Sequence, residues 1–141
     1  MPATIGALRE SVPGESRVSI VPEVAGKLAA AGARVLLERG AGVSAQFPDA
    51  LYQKIEWADS AAAVLAQADV LLTVQPPNVV QIEALRPGTV VIGFMQAHAR
   101  TTAVKAMCAG RITSFAMELV PRISRAQSMD ALSSQAAIAG Y

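Results

Sequence analysis

Cysteine and histidine are nearly absent: Cys108 and His98 are the only ones in 141 residues. No intrachain disulfide can form, which fits a reducing compartment. No second Cys or His stands at ligand spacing, which argues against a bound metal. Aromatic residues make up only 4% of the chain, and twelve Lys and Arg face eleven Asp and Glu. Neither a base-stacking surface nor a basic stripe is available, so nucleic acid and an anionic membrane surface are not expected partners. Long apolar runs are missing as well. Stretches such as Val90–Met95 fall far short of the roughly 20 residues that cross a bilayer. The chain also starts at once on a strand-like run rather than a signal peptide, so a soluble chain is expected.

What is there is apolar and small. Hydrophobic residues reach 52% and charged residues 16%, a composition that gives one domain a heavily buried interior. Short β-rich runs alternate with Ala-rich helical runs. Strands are expected at Thr4–Leu8, Arg34–Glu38, Ile55–Trp57 (an edge), Val70–Val74, the "TVVIGF" run within 87–94 and Arg111–Phe115. Helices are expected at Pro22–Ala31, Asp49–Gln53, Ser60–Gln67, Val79–Leu85 and Thr101–Ala109. Pro22 suits an early helical position, Ser60 an N-cap, and Gly32 and Gly110 helix stops. Strands alternating with helices of about ten residues make βαβ units. The fold expected is therefore α/β, a Rossmann-like or flavodoxin-like parallel sheet with helices on both faces. Its strands should be apolar on both sides. A last helix begins near Ala126 and runs to Tyr141. It aims out of an otherwise finished domain, so more protein is expected to follow.

Ligands of open parallel sheets bind beyond the carboxyl ends of the strands. Arg9, Glu10, Gln75, Gln96 and the run from Glu118 follow strands and could face one cleft. Arg17, in the first βα loop, either clamps an anionic group or braces that loop by pairing with Glu10 or Glu15. Gly40–Gly42 reads "GAG", half of a dinucleotide fingerprint, but Ala45 stands where its third glycine belongs. A plain turn with glycines at positive φ fits better. His98 reads as an exposed loop residue rather than an acid–base group, Cys108 as a small core residue, and Tyr52 and Trp57 as packing at the sheet edge.

The polar exception is "PRISRAQSMDALSSQ", residues 121–135. It carries Arg122, Arg125, Gln127 and Asp130 within nine residues, with Ser124, Ser128, Ser133 and Ser134 among or just after them. A capped helix start with a surface ion pair would explain it, and so would a binding loop.

"PRISRAQSMDALSSQAAIAGY", together with "RESVPGESRVSIVPE", "ERGAG" and "ADVLLTVQPP", resembles the NAD-binding α subunit of proton-translocating NAD(P) transhydrogenase. The resemblance covers the whole chain. It lies within a superfamily that also holds alanine dehydrogenase. It implies that residues 1–141 are one domain, the N-terminal portion of a larger two-domain NAD(H)-binding component. The G-x-G-x-x-G domain would follow in the chain and is absent here. The last helix would then be a cut interdomain helix.

By the same resemblance, Arg122, Gln127 and Asp130 are the candidate catalytic residues. With Ser133 and Tyr141 they are also the candidate contacts to the nicotinamide end of NAD(H). A glutamine can pair with a carboxamide, and a carboxylate favours the oxidised, cationic ring. Hydride transfer between two nicotinamides needs ring alignment more than acid–base chemistry. NADP(H) would sit on a partner component, and membrane components would complete the enzyme. The intact component would be a homodimer, cytoplasmic and peripheral to the inner membrane. The isolated chain is expected to be inactive.

An alanine-dehydrogenase-like oxidoreductase is the alternative enzyme. That family uses an arginine, a lysine and a histidine. Arg17 matches the first, but Gln75 and Gln96 stand at the other two positions. A non-catalytic nucleotide-binding or assembly module is the reading from another class.

Overall fold

The structure is a computed structural model that describes residues 2–121, 123–131 and 135. Among these, strands β1 (Thr4–Ala7), β2 (Arg34–Glu38), β3 (Glu56–Ala58), β4 (Val70–Leu72), β5 (Val90–Gly93) and β6 (Thr113–Ala116) form one sheet. Its order is β3-β2-β1-β4-β5-β6, and every pair is parallel. Helices α1 (Pro22–Ala30), α2 (Ala61–Gln67), α3 (Val79–Glu83) and α4 (Thr101–Ala109) connect strands. The expected α/β sheet is thus what forms, with its strand order reversing between β1 and β4.

Local signals set the helix ends. Pro22 opens α1, and Gly32 follows it at φ +96°, a left-handed conformation that a Cβ disfavours. Asn78 and Gln81 form a reciprocal capping box on α3. Ser60 Oγ accepts the Ala63 amide at 3.2 Å at the start of α2. Ser60→Ala should lower stability by about 1 kcal/mol. Urea unfolding should show a lower midpoint and an unchanged slope.

The sheet's pleat sorts side chains to two cores. Leu36, Leu71 and Val91 meet α2, α3 and α4 through Val64, Ile82 and Met107. Ala7, Val35 and Leu37 face the other way, where α1 contributes Ala25 and the loops contribute Ile20 and Tyr52. Among the described residues, helices therefore lie on both faces, α2, α3 and α4 on one and α1 on the other. Gly6 lets α2 settle onto β1, since a Cβ there would lie 2.7 Å from Val64 Cγ1.

Four expectations need correction. Cys108 is exposed rather than in the core. Helix α4 turns Ala103 and Met107, four residues apart, inward, and the next position points away. The last strand begins at Thr113, not Arg111. Arg111 has φ +57° and makes the turn out of α4. Nor is every strand apolar on both sides: β6 is an edge strand, with Phe115 57% exposed. Finally, the expected helix from Ala126 starts as a 3-10 stretch, Ser124–Met129, and most of its remainder lies outside the described residues. Among the described residues no helix is long and apolar enough to cross a membrane.

Candidate functional site

Where the strand order reverses, the exit loops of β1 and β4 diverge and leave a crevice. A cleft of about 520 Å³ lies there, lined by Arg17 and Ser19 after β1, Thr73 and Val74 after β4, and Gly93 and Phe94 at the end of β5. Ala131 and Gln135 of the C-terminal segment also line it.

The polar groups expected to face this cleft are mostly engaged with the backbone. Glu10 Oε1 accepts the amides of Val74 and Gln75 at 3.1 and 2.6 Å. Glu118 accepts those of Met95 and Gln96, and Glu38 that of Arg9. Each carboxylate thus receives N–H groups that leave the end of a neighbouring strand unpaired. Gln96 is exposed, with its backbone left-handed at φ +49°.

Arg17 pairs with Glu15, as one of its two readings anticipated. Its Nε and Nη2 donate to the two carboxylate oxygens at 2.8 and 2.9 Å. Glu15 also accepts the Arg17 amide at 2.9 Å and Gln75 Nε2 at 2.7 Å. Its side chain is only 6% exposed. The Arg17 hydrogen bond, above all, holds the Glu15 carboxyl down to about 2, while burial pushes Glu10 above the usual carboxylate range. The guanidinium sits 5.9 Å from the centre of the Phe94 ring, within cation–π range.

The Gly40–Gly42 segment is a turn, but only Gly40 has positive φ, at +79°. Gly42 is needed for space: a Cβ there would meet Phe47 O and Tyr52 Oη, each at 2.6 Å. That tyrosine is buried, donates to Ile20 O at 2.7 Å and packs edge-on against Trp57, with ring centres 5.5 Å apart. His98 is exposed in a 3-10 turn, Ala97–Ala99. Among the described residues no three His, Cys, Asp or Glu side chains cluster for a metal.

Of the candidate site residues, Arg122, Ser133 and Tyr141 lie outside the described residues. Gln127 and Asp130 come together. With Ile123 and Ser124 they line a separate, smaller cavity of about 280 Å³. Gln127 is exposed, Asp130 is half-buried, and the nearby Ala126 is buried. The Asp130 amide donates to the Gln127 carbonyl at 3.2 Å. Neither side chain lines the larger cleft; Ala131 and Gln135 do. Sequence reasoning passed over Gln135 and Phe94, which no local pattern distinguishes from surface and core residues. The Glu15-x-Arg17 spacing was a usable sign of their pairing.

An all-parallel open sheet with a cleft at the reversal of strand order defines the class of α/β domains that hold small ligands between diverging strand exits. Within that class the chain belongs to the family described as "Alanine dehydrogenase/PNT, N-terminal domain", whose model matches residues 6–139. NAD(P) transhydrogenase subunit alpha of Cereibacter sphaeroides is 43% identical over 97% of the chain and 27% of that subunit. The crystal structure of a transhydrogenase from Sinorhizobium meliloti superposes with a TM-score of 0.92, at 43% identity, over 98% of this chain and 42% of that one. Alanine dehydrogenase 1 of Staphylococcus aureus is more distant, at 27% identity over 96% of the chain and 36% of that enzyme. The chain therefore spans less than half the length of these relatives.

Proposed function

We propose that this chain is the N-terminal domain of the NAD(H)-binding component of an NAD(P) transhydrogenase, an oxidoreductase that passes hydride between NAD(H) and NADP(H) and couples the transfer to proton movement across a membrane. The likeness to transhydrogenase α subunits along nearly the whole chain carries the reading. In this reading a dinucleotide-binding second domain follows in the chain. NADP(H) and the membrane path belong to partner components, and the intact component is a homodimer, cytoplasmic and peripheral to the inner membrane.

The residues present suit a nicotinamide. Gln127 offers both a donor and an acceptor, which a carboxamide can match. Asp130 sets a carboxylate in the same small cavity, where it favours a cationic over a neutral ring. The cofactor supplies the hydride chemistry, and this chain orients the ring. Arg122, Ser133 and Tyr141 complete the proposed contacts. Amino-acid dehydrogenation would need proton-moving groups at the cleft. Gln75 does not titrate and is occupied with Glu15, and Gln96 does not titrate either.

The test uses the two-domain component assembled with its partners. Gln127→Ala and Asp130→Ala should each slow hydride transfer by about tenfold or more while NADH affinity changes little, because orientation is lost and most binding contacts lie in the second domain. Stopped-flow transfer rates and NADH titration separate the two effects. Full transfer rates in both variants would reduce the loop to a structural role. The isolated chain should show no transfer and weak or absent NADH binding, and submicromolar affinity would overturn that expectation.

A further inference from the structure

We propose that Arg17 is a positioning residue: held by Glu15, it latches the C-terminal polar segment to the first βα loop through Gln135. The claim about hydride transfer rests on the reading above; the latch itself does not.

Four observations carry it. Two donors of the guanidinium are spent on the Glu15 carboxylate, through Nε and Nη2. The third nitrogen, Nη1, donates to Gln135 Oε1 at 3.4 Å, across 118 positions of sequence. Glu15 is itself immobilised, by the Arg17 amide, by Gln75 Nε2 and by burial of its side chain. Phe94 lies beneath the guanidinium. The arginine is therefore aimed before it meets Gln135, and its planar fork fits this double duty. The side-on Nε/Nη2 edge of the arginine is thereby taken by Glu15.

The consequence falls on the segment's other end. Gln135 and Ala131 line the large cleft, and Gln127 and Asp130, just before them in the chain, line the smaller one. The described 3-10 stretch, Ser124–Met129, buries only Ala126, so its own burial anchors it weakly. Pinning Gln135 limits how far Asp130 and Gln127 can drift. Small misplacements of an orienting group are enough to slow a transfer step.

The test compares wild type with Arg17→Lys and Gln135→Ala, which spare the buried carboxylate a missing cation, and with Arg17→Ala. The first measurement is backbone order in the ligand-free 141-residue chain, by 15N heteronuclear NOE. All three variants should lower the values at Ala126, Gln127 and Asp130 and leave Leu71 and Val91 in β4 and β5 unchanged. A general stabilising role would not single out the segment. Lysine should fail like alanine, because charge without the fork cannot hold both partners. The second measurement is transfer by the two-domain component with its partners. Arg17→Lys should lose about tenfold in rate, with NADH affinity within about twofold, and adding Gln135→Ala should cost nothing more. Unchanged order in Arg17→Lys and Gln135→Ala overturns the latch. Lost order with a wild-type transfer rate overturns the positioning role. A wild-type assembly with no transhydrogenation, in which the variants still lose order, overturns the functional reading and leaves the latch standing.

Discussion

Gly93→Val should leave little folded protein, and even Gly93→Ala should cost about 3 kcal/mol or more, at or above the usual range for an overpacked site. A Cβ on Gly93 would stand 2.3 Å from Thr73 Oγ1 and 2.4 Å from the Thr73 carbonyl oxygen. Backbone cannot swing aside as a side chain can. The two strand exits are also tied on either side of the contact, by Thr73 N–H to Ile92 O at 2.9 Å and Phe94 N–H to Val74 O at 3.2 Å. Making room means breaking that ladder beside the large cleft. Domains are stable by only about 5–15 kcal/mol, so the loss is a large share of the total. Urea unfolding of Gly93→Ala is the measurement, and a loss below about 1 kcal/mol would contradict the geometry. Thr73→Ala gives the control. The buried Thr73 hydroxyl has no hydrogen-bond partner among the described residues, so removing it should be tolerated. It should not rescue Gly93→Ala, because the carbonyl remains.

The second large effect is on acid stability. Glu15 titrates at about 2 when folded, against an ordinary 4.5. A depressed carboxylate stabilises the fold above its unfolded pKa, and that stabilisation is lost as pH falls through the folded value. The window is therefore from 4.5 down to about 2. The shift corresponds to roughly 3 kcal/mol at most, somewhat less because Arg17 is partly in water. Glu10 works the other way. Burial raises its pKa, so its charged form is disfavoured at neutral pH, and that penalty is relieved as pH falls through the raised value. Glu15→Gln should lose up to about 3 kcal/mol at pH 7, and its deficit should shrink toward zero near pH 2. Glu10→Gln keeps an acceptor for Val74 and Gln75, and it should be neutral or stabilising at pH 7. Unfolding curves at several pH values test both signs. A Glu15→Gln deficit that stays constant with pH would mean that its carboxylate contributes nothing through charge.

The α/β alternation and most helix starts were legible because each depends on neighbours within a few residues, and the parallel sheet followed from that alternation. Ser60 caps α2 through Ala63, three residues away, and Pro22 opens α1 by its own ring geometry. The Arg17–Glu15 pair was legible for the same reason, at a separation of two. The candidate loop was legible as a polar run in an apolar chain, and Gln127 and Asp130 do share a cavity. Cys108 was misread because Ala-rich composition does not say which side of α4 meets the sheet. Gly42 was misread because a glycine kept for space looks the same in sequence as one kept for positive φ.

By itself, then, the sequence determined the class of fold and the location of the polar segment, both of which follow from local periodicity and turn chemistry. Only the tertiary structure decided where Nη1 of Arg17 donates, which carboxylates hold the strand ends, and why Gly93 cannot carry a side chain. Those contacts join residues 20 to 118 positions apart. Chain closure over such distances is set by the packing of the whole sheet, and no window of the sequence contains both partners.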